Sequence, residues 1–408
     1  MGEKAGRRLL IYGMNYFPEM ISVGKYTGEL AEYLCAEGVD VEVVTAQPHY
    51  PGWKIFQGTR NGWSSGVENG VKVFRCPLWL VGKVEGVARF LAPLSFAVTS
   101  SLVAIRRVAA AREGVILCVE PTLLIAPLAL ILGKLRGWRC VLHVQDLEID
   151  AAFAVGHLGR GNLAARVSAE FERRCLGSFD AVVTISGMMA EALAVKGVPR
   201  SKLHVLRNWV DLQAINPCVD GAAIRRELGI SPDRFVALYS GNLGRKQGIQ
   251  TLIEAARLIS DSDILFVIAG DGPEAPRVRS AALELKNIMM VPLQPTERFA
   301  EFVRMADLHL LPQTREVADL VLPSKLGAIL ASGRRVLVCA EPNTELFNIV
   351  SECVAVVPPD DPAAFAKAIR DAHAAEEPEG ASAARLAIAS ELSRTKLLPR
   401  FHDILLNE

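Results

Sequence analysis

Short runs of β-branched and aliphatic residues, each followed by a longer stretch with apolar positions at helical spacing, recur along the whole chain. This is how strands buried in a parallel sheet read when crossover helices join them, so the expected fold class is α/β. In the first half the strand-like runs are Arg8–Tyr12, Val39–Thr45, Val71–Arg75, Val115–Val119, Arg139–Val144, Ala181–Ile185 and Leu203–Leu206. Helical stretches such as Lys25–Gly38 and Thr122–Gly137 lie between them. The pattern weakens from Asn208 to Pro217, and a second series follows: Phe235–Tyr239, Ile264–Ala269, Ile288–Val291, Leu308–Leu311 and Val336–Cys339. A chain of 408 residues exceeds what one hydrophobic core usually serves, so a domain boundary is placed near residue 210. The closing stretch Ser382–Leu406 reads as a helix interrupted at Pro399.

One segment departs from this alternation. Residues 90–105 carry no charge and are flanked by Arg89 and by Arg106-Arg107. The run is short for a bilayer span, and Pro93, Ser95, Thr99, Ser100 and Ser101 interrupt it. Two readings remain: a helix packed on the sheet, or a helix lying on a membrane surface with its arginines toward anionic headgroups.

Composition narrows the partners. The 45 basic and 45 acidic side chains cancel, which argues against a nucleic-acid footprint built on excess charge. Eight cysteines are scattered without a Cys-x-x-Cys pair, so neither a zinc site nor a disulfide framework is indicated, and a reducing cytoplasm fits best.

Candidate chemistry concentrates in the loops after the strands, where open α/β sheets bind ligands. Tyr239-Ser240-Gly241-Asn242-Leu243-Gly244 leads through Gln247-Gly248 into a predicted helix, and its glycines let backbone amides approach an anion such as phosphate. Ala269-Gly270-Asp271-Gly272-Pro273 is a second such turn, with Pro273 suited to a first helical position. In Leu322-Pro323-Ser324-Lys325-Leu326, Ser324 reads as an N-cap and Lys325 as a cation in a first helical turn, where the helix dipole disfavours it. An anion bound there would resolve that conflict, which makes Lys325 a candidate diphosphate ligand. In the first half, the connection from Gly13 through Asn15 to Gly24 is longer than a link requires and can line a binding site. His143-Val144-Gln145-Asp146 ends a strand with polar groups; His143 reads as a packed strand histidine, and Asp146 as an acid in need of a partner. No nucleophile elbow, zinc-binding His-Glu-x-x-His, Walker-type phosphate loop or Gly-x-Gly-x-x-Gly after the first strand is present, so hydrolase, ATPase and dehydrogenase readings fall.

Taken in order, Asn15-Tyr16-Phe17-Pro18-Glu19 with Gly24, His143 to Leu147, Asn208-Trp209-Val210-Asp211, the two glycine turns, and Pro323-Ser324-Lys325-Leu326 with Ala331-Ser332-Gly333 resemble the retaining family-4 glycosyltransferases of GT-B architecture. Within them the chain is similar to the colanic-acid-biosynthesis type of exopolysaccharide enzyme. The resemblance implies two Rossmann-like domains facing each other across a cleft. Residues 1–210 would bind the acceptor, residues 211–385 the nucleotide sugar, and residues 386–408 would form a helix returning to the first domain. It further implies hexosyl transfer with retention, without metal or cofactor, from a nucleoside-diphosphate sugar to a lipid-linked or growing polysaccharide acceptor at the inner face of the cytoplasmic membrane. The site residues so implied are Asp146, Glu316, Asp319 and Lys325 for catalysis. For substrate binding they are Asn15, Gly24, Gly241, Asn242, Gln247, Gly270, Gly272, Pro323, Ser324 and Leu326.

The chain also departs from the broad family. Its Glu-x7-Glu pair falls on Leu320 and Ala328, so Glu316 and Asp319 are the candidates to replace the acid that meets the donor sugar. The family's diphosphate-binding arginine and lysine fall on Asn242 and Gln247, which leaves Lys325, with Arg245 or Lys246, to supply the charge. A first-domain histidine falls on Val119. Two alternatives share the fold: a catalytically silent scaffold, and a nucleotide-sugar epimerase.

Overall fold

The computed structural model describes residues 8–19, 22–50, 52–80, 91–121, 123–146, 163–259, 263–315 and 322–407. The chain folds as two compact units, Met1–Arg207 together with Leu398–Glu408, and Asn208–Leu397.

The first unit is built on an eight-stranded sheet in the order β3-β4-β2-β1-β5-β6-β7-β8. Its strands are β1 Arg8–Gly13, β2 Asp40–Ala46, β3 Ser64–Glu68, β4 Val71–Cys76, β5 Gly114–Glu120, β6 Arg139–Val144, β7 Ala181–Thr184 and β8 Leu203–Val205. Only the edge strand β3 runs antiparallel to its neighbour. The central strands β2, β1, β5, β6 and β7 are buried along nearly their whole length, as a sheet covered on both faces requires. The helices are α1 Ser22–Ala36, α2 Leu91–Ala109, α3 Ala126–Arg136, α4 Leu163–Ser178 and α5 Gly187–Val195. Phe96, Ala104 and Val108 of α2 share one core with Ala126 and Ala129 of α3.

The uncharged segment packs one face on the sheet as a helix, and of Arg106-Arg107 only the first stays exposed, so the expectation that both arginines point outward is corrected for Arg107. Glu42 on β2 is fully buried, and a buried carboxylate needs a charged partner. Arg107 meets it through two hydrogen bonds of 2.7 and 2.6 Å, so that guanidinium faces the sheet. Tyr12 and Ser100 add a buried hydroxyl pair at 2.7 Å between β1 and α2.

The second unit has a six-stranded, fully parallel sheet in the order β11-β10-β9-β12-β13-β14. Its strands are β9 Phe235–Ser240, β10 Ile264–Ala269, β11 Ile288–Val291, β12 Leu308–Leu311, β13 Arg335–Cys339 and β14 Ala355–Val357. The helices are α6 Ala222–Glu227, α7 Ile249–Leu258, α8 Ala275–Glu284, α9 Thr296–Arg304, α10 Leu326–Ala331, α11 Glu345–Val350, α12 Pro362–Ala374 and α13 Ala381–Glu391, while α14 Arg394–Leu406 starts in this unit and from Leu398 belongs to the first.

The tail breaks at Leu392-Ser393 instead of at Pro399, which lies inside α14. Val210 donates to the Leu392 carbonyl at 2.8 Å and accepts from Arg394 at 2.9 Å, so a strand-like bridge takes the place of helical bonds at the break. Within the first unit, Phe401 of α14 packs edge-on against His143, with ring centroids 4.9 Å apart.

Candidate functional site

In the second sheet the strand order turns between β9 and β12, so the loops leaving these two strands flank the crevice where such sheets hold ligands. The loop after β9 lies directly on the loop after β10. Gly241 donates to the Ala269 carbonyl and Leu243 to the Asp271 carbonyl, each at 2.9 Å, and Glu274 donates to the Leu243 carbonyl at 2.9 Å. A Cβ on Gly270 would stand 2.0 Å from the Gly241 carbonyl oxygen, so the two loops can meet only as glycine. Gly272 has φ of +148° and Gly241 of +142°, a backbone region that side chains rarely enter. Asn242 is exposed, its amide flanked by Gly244 and Gly272, and Tyr239 donates its hydroxyl to the Asn242 carbonyl at 2.7 Å.

Lys325 reaches this same place from across the switch point. Its ammonium stands 3.8 Å above the Tyr239 ring centroid and 3.7 Å from where a Gly241 Cβ would be. The nitrogen is buried and has no hydrogen-bond partner among the described residues. Burial without a counter-ion pulls its pKa down to about 7. A buried cation-forming group held against a glycine turn is a place where an anion gains a full charge partner and backbone amides together.

The local geometry corrects three details of the sequence reading. Lys325 itself occupies the N-cap position of α10 and Ser324 precedes it, exposed, so the lysine is placed by packing on Tyr239 and not by a conflict with a helix dipole. The first turn of α8 holds Pro276, and Pro273 stays in the turn before it. The helix after the first glycine turn does not open until Ile249, with Gly248 left-handed against the backbone of Pro312 and Gln313 and a single 3-10 turn, Arg245–Gln247, before it.

In the first sheet the corresponding turn in strand order lies between β1 and β5. The loop after β1 is organised by a residue whose role was not legible in the sequence, Glu19. Its carboxylate is buried and accepts from Asn15 Nδ2 at 2.8 Å, from the His49 amide at 2.8 Å and from the Tyr50 amide at 2.9 Å. His49 Nδ1 stands 3.2 Å away. Burial opposes the charge, but the His49 and Tyr50 contacts outweigh it and hold the carboxyl below its ordinary range. Gly24 is where α1 crosses this loop, since a Cβ there would lie 2.7 Å from Glu19 Cβ. The available signal was an acid directly after Pro18 in a connection too long for its purpose; its partners come from the loop after β2.

Asp146 is exposed at the carboxyl end of β6. Burial first, then the charges of Glu19 and Asp146, push the Tyr50 phenol up, which places Asp146, Tyr50 and Glu19 in one neighbourhood. His143 is fully buried and pushed down to about 3, hence neutral, with Nε2 3.1 Å from the Gln145 amide nitrogen, as a packed strand histidine should be. The structure thus brings together Gly241, Asn242, Gly270, Gly272 and Lys325 in the second unit, with Gln247 half-buried beside Gly244. Asn15 and Gly24 are joined through Glu19 in the first. Pro323 is half-buried ahead of α10, whereas the side chain of Leu326 belongs to the hydrophobic core, leaving only its backbone for a ligand. Glu316 and Asp319 lie outside the described residues. Among the described residues no group of three His, Cys, Asp or Glu side chains comes together to hold a metal ion.

Comparison with known proteins matches residues 23–209 to the glycosyl transferase 4-like domain and residues 220–386 to glycosyl transferases group 1. The chain is 39% identical over 351 residues to WcaI of Escherichia coli K12, described as a colanic acid biosynthesis glycosyl transferase, covering 84% of this chain and 85% of that one. It is 28% identical to the Pseudomonas aeruginosa glycosyltransferase WbjE, covering 66% of this chain and 68% of that one. Among solved structures, sucrose-phosphate synthase of Thermosynechococcus elongatus superposes with TM-score 0.73 at 16% identity over 98% of both chains. The Anabaena protein HepE in complex with UDP superposes with TM-score 0.66 at 13% identity, over 98% of this chain and 100% of that one.

Proposed function

Because the chain belongs to the group 1 glycosyltransferases, we propose that it transfers a hexosyl group, with retention, from a nucleoside-diphosphate sugar to a lipid-linked or growing exopolysaccharide acceptor. The observation that carries this reading is the buried ammonium of Lys325, without a hydrogen-bond partner among the described residues, against the Gly241 turn on which the Gly270 turn rests. As the sugar–phosphate bond breaks, negative charge accumulates on the departing diphosphate, and the loop amides and Lys325 are already in place to meet it. The ammonium occupies the role that a divalent metal plays in other transferases, so the reaction is proposed to run without one. Asp146, beside Tyr50 at the edge of the first sheet, is the proposed acceptor-side group, and Glu19 holds the loop that carries Asn15. The similarity to WcaI supports an exopolysaccharide product.

Calorimetric titration with UDP, GDP and ADP tests the donor half. One of the three should bind, and Lys325→Ala should lower its affinity at least about 100-fold, the scale of a lost charge-assisted contact to phosphate. Equal affinity in the variant would end the assignment. A silent scaffold is the reading that Ala328 favours, at a position where the resemblance to the broad family implies an acid; sugar turnover dependent on the bound nucleotide excludes it.

A further inference from the structure

Helix α2 spends one face on the core and leaves the other bare. Ala92, Phe96, Ser100, Ala104 and Val108 are buried, while Leu91, Leu94, Val98, Leu102 and Ile105 are exposed, Val98 by 67% and Leu102 by 55%. Spacings of three and four residues put these five on one stripe along a helix of 19 residues, about 28 Å long. Two tryptophans flank it. Trp63 is 66% exposed and donates its indole N–H to the Thr99 carbonyl at 3.1 Å, and Trp79, 70% exposed, donates its backbone N–H to Ser95 at 2.9 Å. Neighbouring α3, anchored in the same core, turns Ile131 and Leu135 outward. Soluble proteins seldom leave so many large apolar side chains together in water without a partner for them.

The charges at one end say which partner. Exposed Arg106 and Arg112 follow the stripe, and exposed Lys134 and Arg136 end α3, with Glu113 the acid among them. Arg136 donates to the Ala111 carbonyl at 2.7 Å, which ties the two basic helix ends together. A second copy of the chain would bring the same sign of charge to this rim, whereas an anionic lipid surface complements it and takes up the apolar stripe and the amphipathic tryptophans at headgroup depth. We propose that the outer face of α2 and α3 docks on an anionic bilayer, with the helix lying in the interface. Burial of its inner face and the Arg107–Glu42 pair keep α2 on the sheet, so it lies on the membrane without crossing it. Docking of this kind would hold the first unit at the surface that carries a lipid-linked acceptor, but it does not depend on the transfer reaction.

Flotation of the full-length protein with vesicles tests it, using phosphatidylcholine alone or mixed with phosphatidylglycerol. The protein should float with the mixed vesicles. Val98→Asp with Leu102→Asp should reduce flotation by about tenfold or more without changing the melting temperature or nucleotide binding, and Arg106→Glu with Lys134→Glu should abolish the preference for anionic lipid. If the aspartate pair melts early, Leu94→Ser with Ile105→Ser on the same stripe serves instead, with the same loss expected. Flotation unaffected by either apolar pair overturns the proposal. So does a wild-type protein that ignores vesicles and sediments as a dimer dissociated by Val98→Asp with Leu102→Asp, because the face would then join two copies. Absence of nucleotide binding by the wild type would sink the proposed transfer while leaving the flotation result standing.

Discussion

Lys325 costs the free protein stability, and that cost can be measured. Moving a lysine from 10.5 to about 7 by burial corresponds, at 1.36 kcal/mol per pKa unit, to about 5 kcal/mol against the charged form. The Tyr239 ring beneath it returns about 1 kcal/mol, and the half-buried stem leaves some access to solvent. Lys325→Met keeps a side chain of similar length over the ring and removes the charge, so the second unit should gain about 2–3 kcal/mol at pH 7. For a domain of this size that is a rise of roughly 5–10 °C in melting temperature. The pH dependence has a definite sign. The folded pKa lies below the unfolded one, so between about 7 and 10.5 the unfolded chain binds more protons, and wild-type stability rises with pH through that window. The gap between variant and wild type should therefore be widest at pH 7 and narrow by pH 10. Melting curves at pH 7, 8.5 and 10 decide the matter, and the same variant should lose the stabilisation that a nucleoside diphosphate confers on the wild type. A methionine variant that melts below the wild type at pH 7 would refute the view that an uncompensated charge is stored there.

Three further outcomes follow from the contacts. Gly270→Ala should abolish nucleotide binding and cost more than about 2 kcal/mol, because its Cβ would meet the Gly241 carbonyl oxygen; denaturant titration and calorimetry read the two effects. Glu19→Gln should destabilise by about 1–3 kcal/mol at pH 7, since an amide cannot serve all the donors the carboxylate accepts. The Glu19 pKa is lower folded than unfolded, so that contribution is present above the ordinary carboxyl range and disappears as pH falls through the folded value; a deficit unchanged at low pH in urea unfolding would contradict the assignment. Asp146→Asn should reduce sugar transfer by about 100-fold or more while leaving nucleotide affinity as it was, and a matching loss of affinity would remove Asp146 from the acceptor side.

Much of this protein was legible as a string. The buried strands β1, β2, β5 to β7 and β9 to β13 read directly as apolar runs, because a strand covered on both faces has no reason to alternate, and the partly buried β4 and β8 were legible as well. β3 did not, since Ser64–Glu68 is an exposed edge strand whose residues carry no core pattern, and β14 is only Ala355–Val357. The glycine turns were visible because glycine is demanded locally, by φ values and by the distance of closest approach. Caps were less so: Ser324 and Pro273 satisfied local preferences at positions the helices do not start from.

What only the tertiary structure decided are the relations between distant residues. Parallel pairing of β9 with β12 is what carries Lys325 to Tyr239 and Gly241. The order of β2 and α2 in the sheet commits Arg107 to Glu42 and leaves Arg106 to solvent, a difference that two adjacent arginines cannot express in sequence. Glu19 becomes the centre of its loop only when His49 and Tyr50 fold over it. Periodicity and backbone stereochemistry are local and survive in one dimension; the burial of a charge and the identity of its partner depend on what the fold brings to it, and they exist only once the sheet has formed.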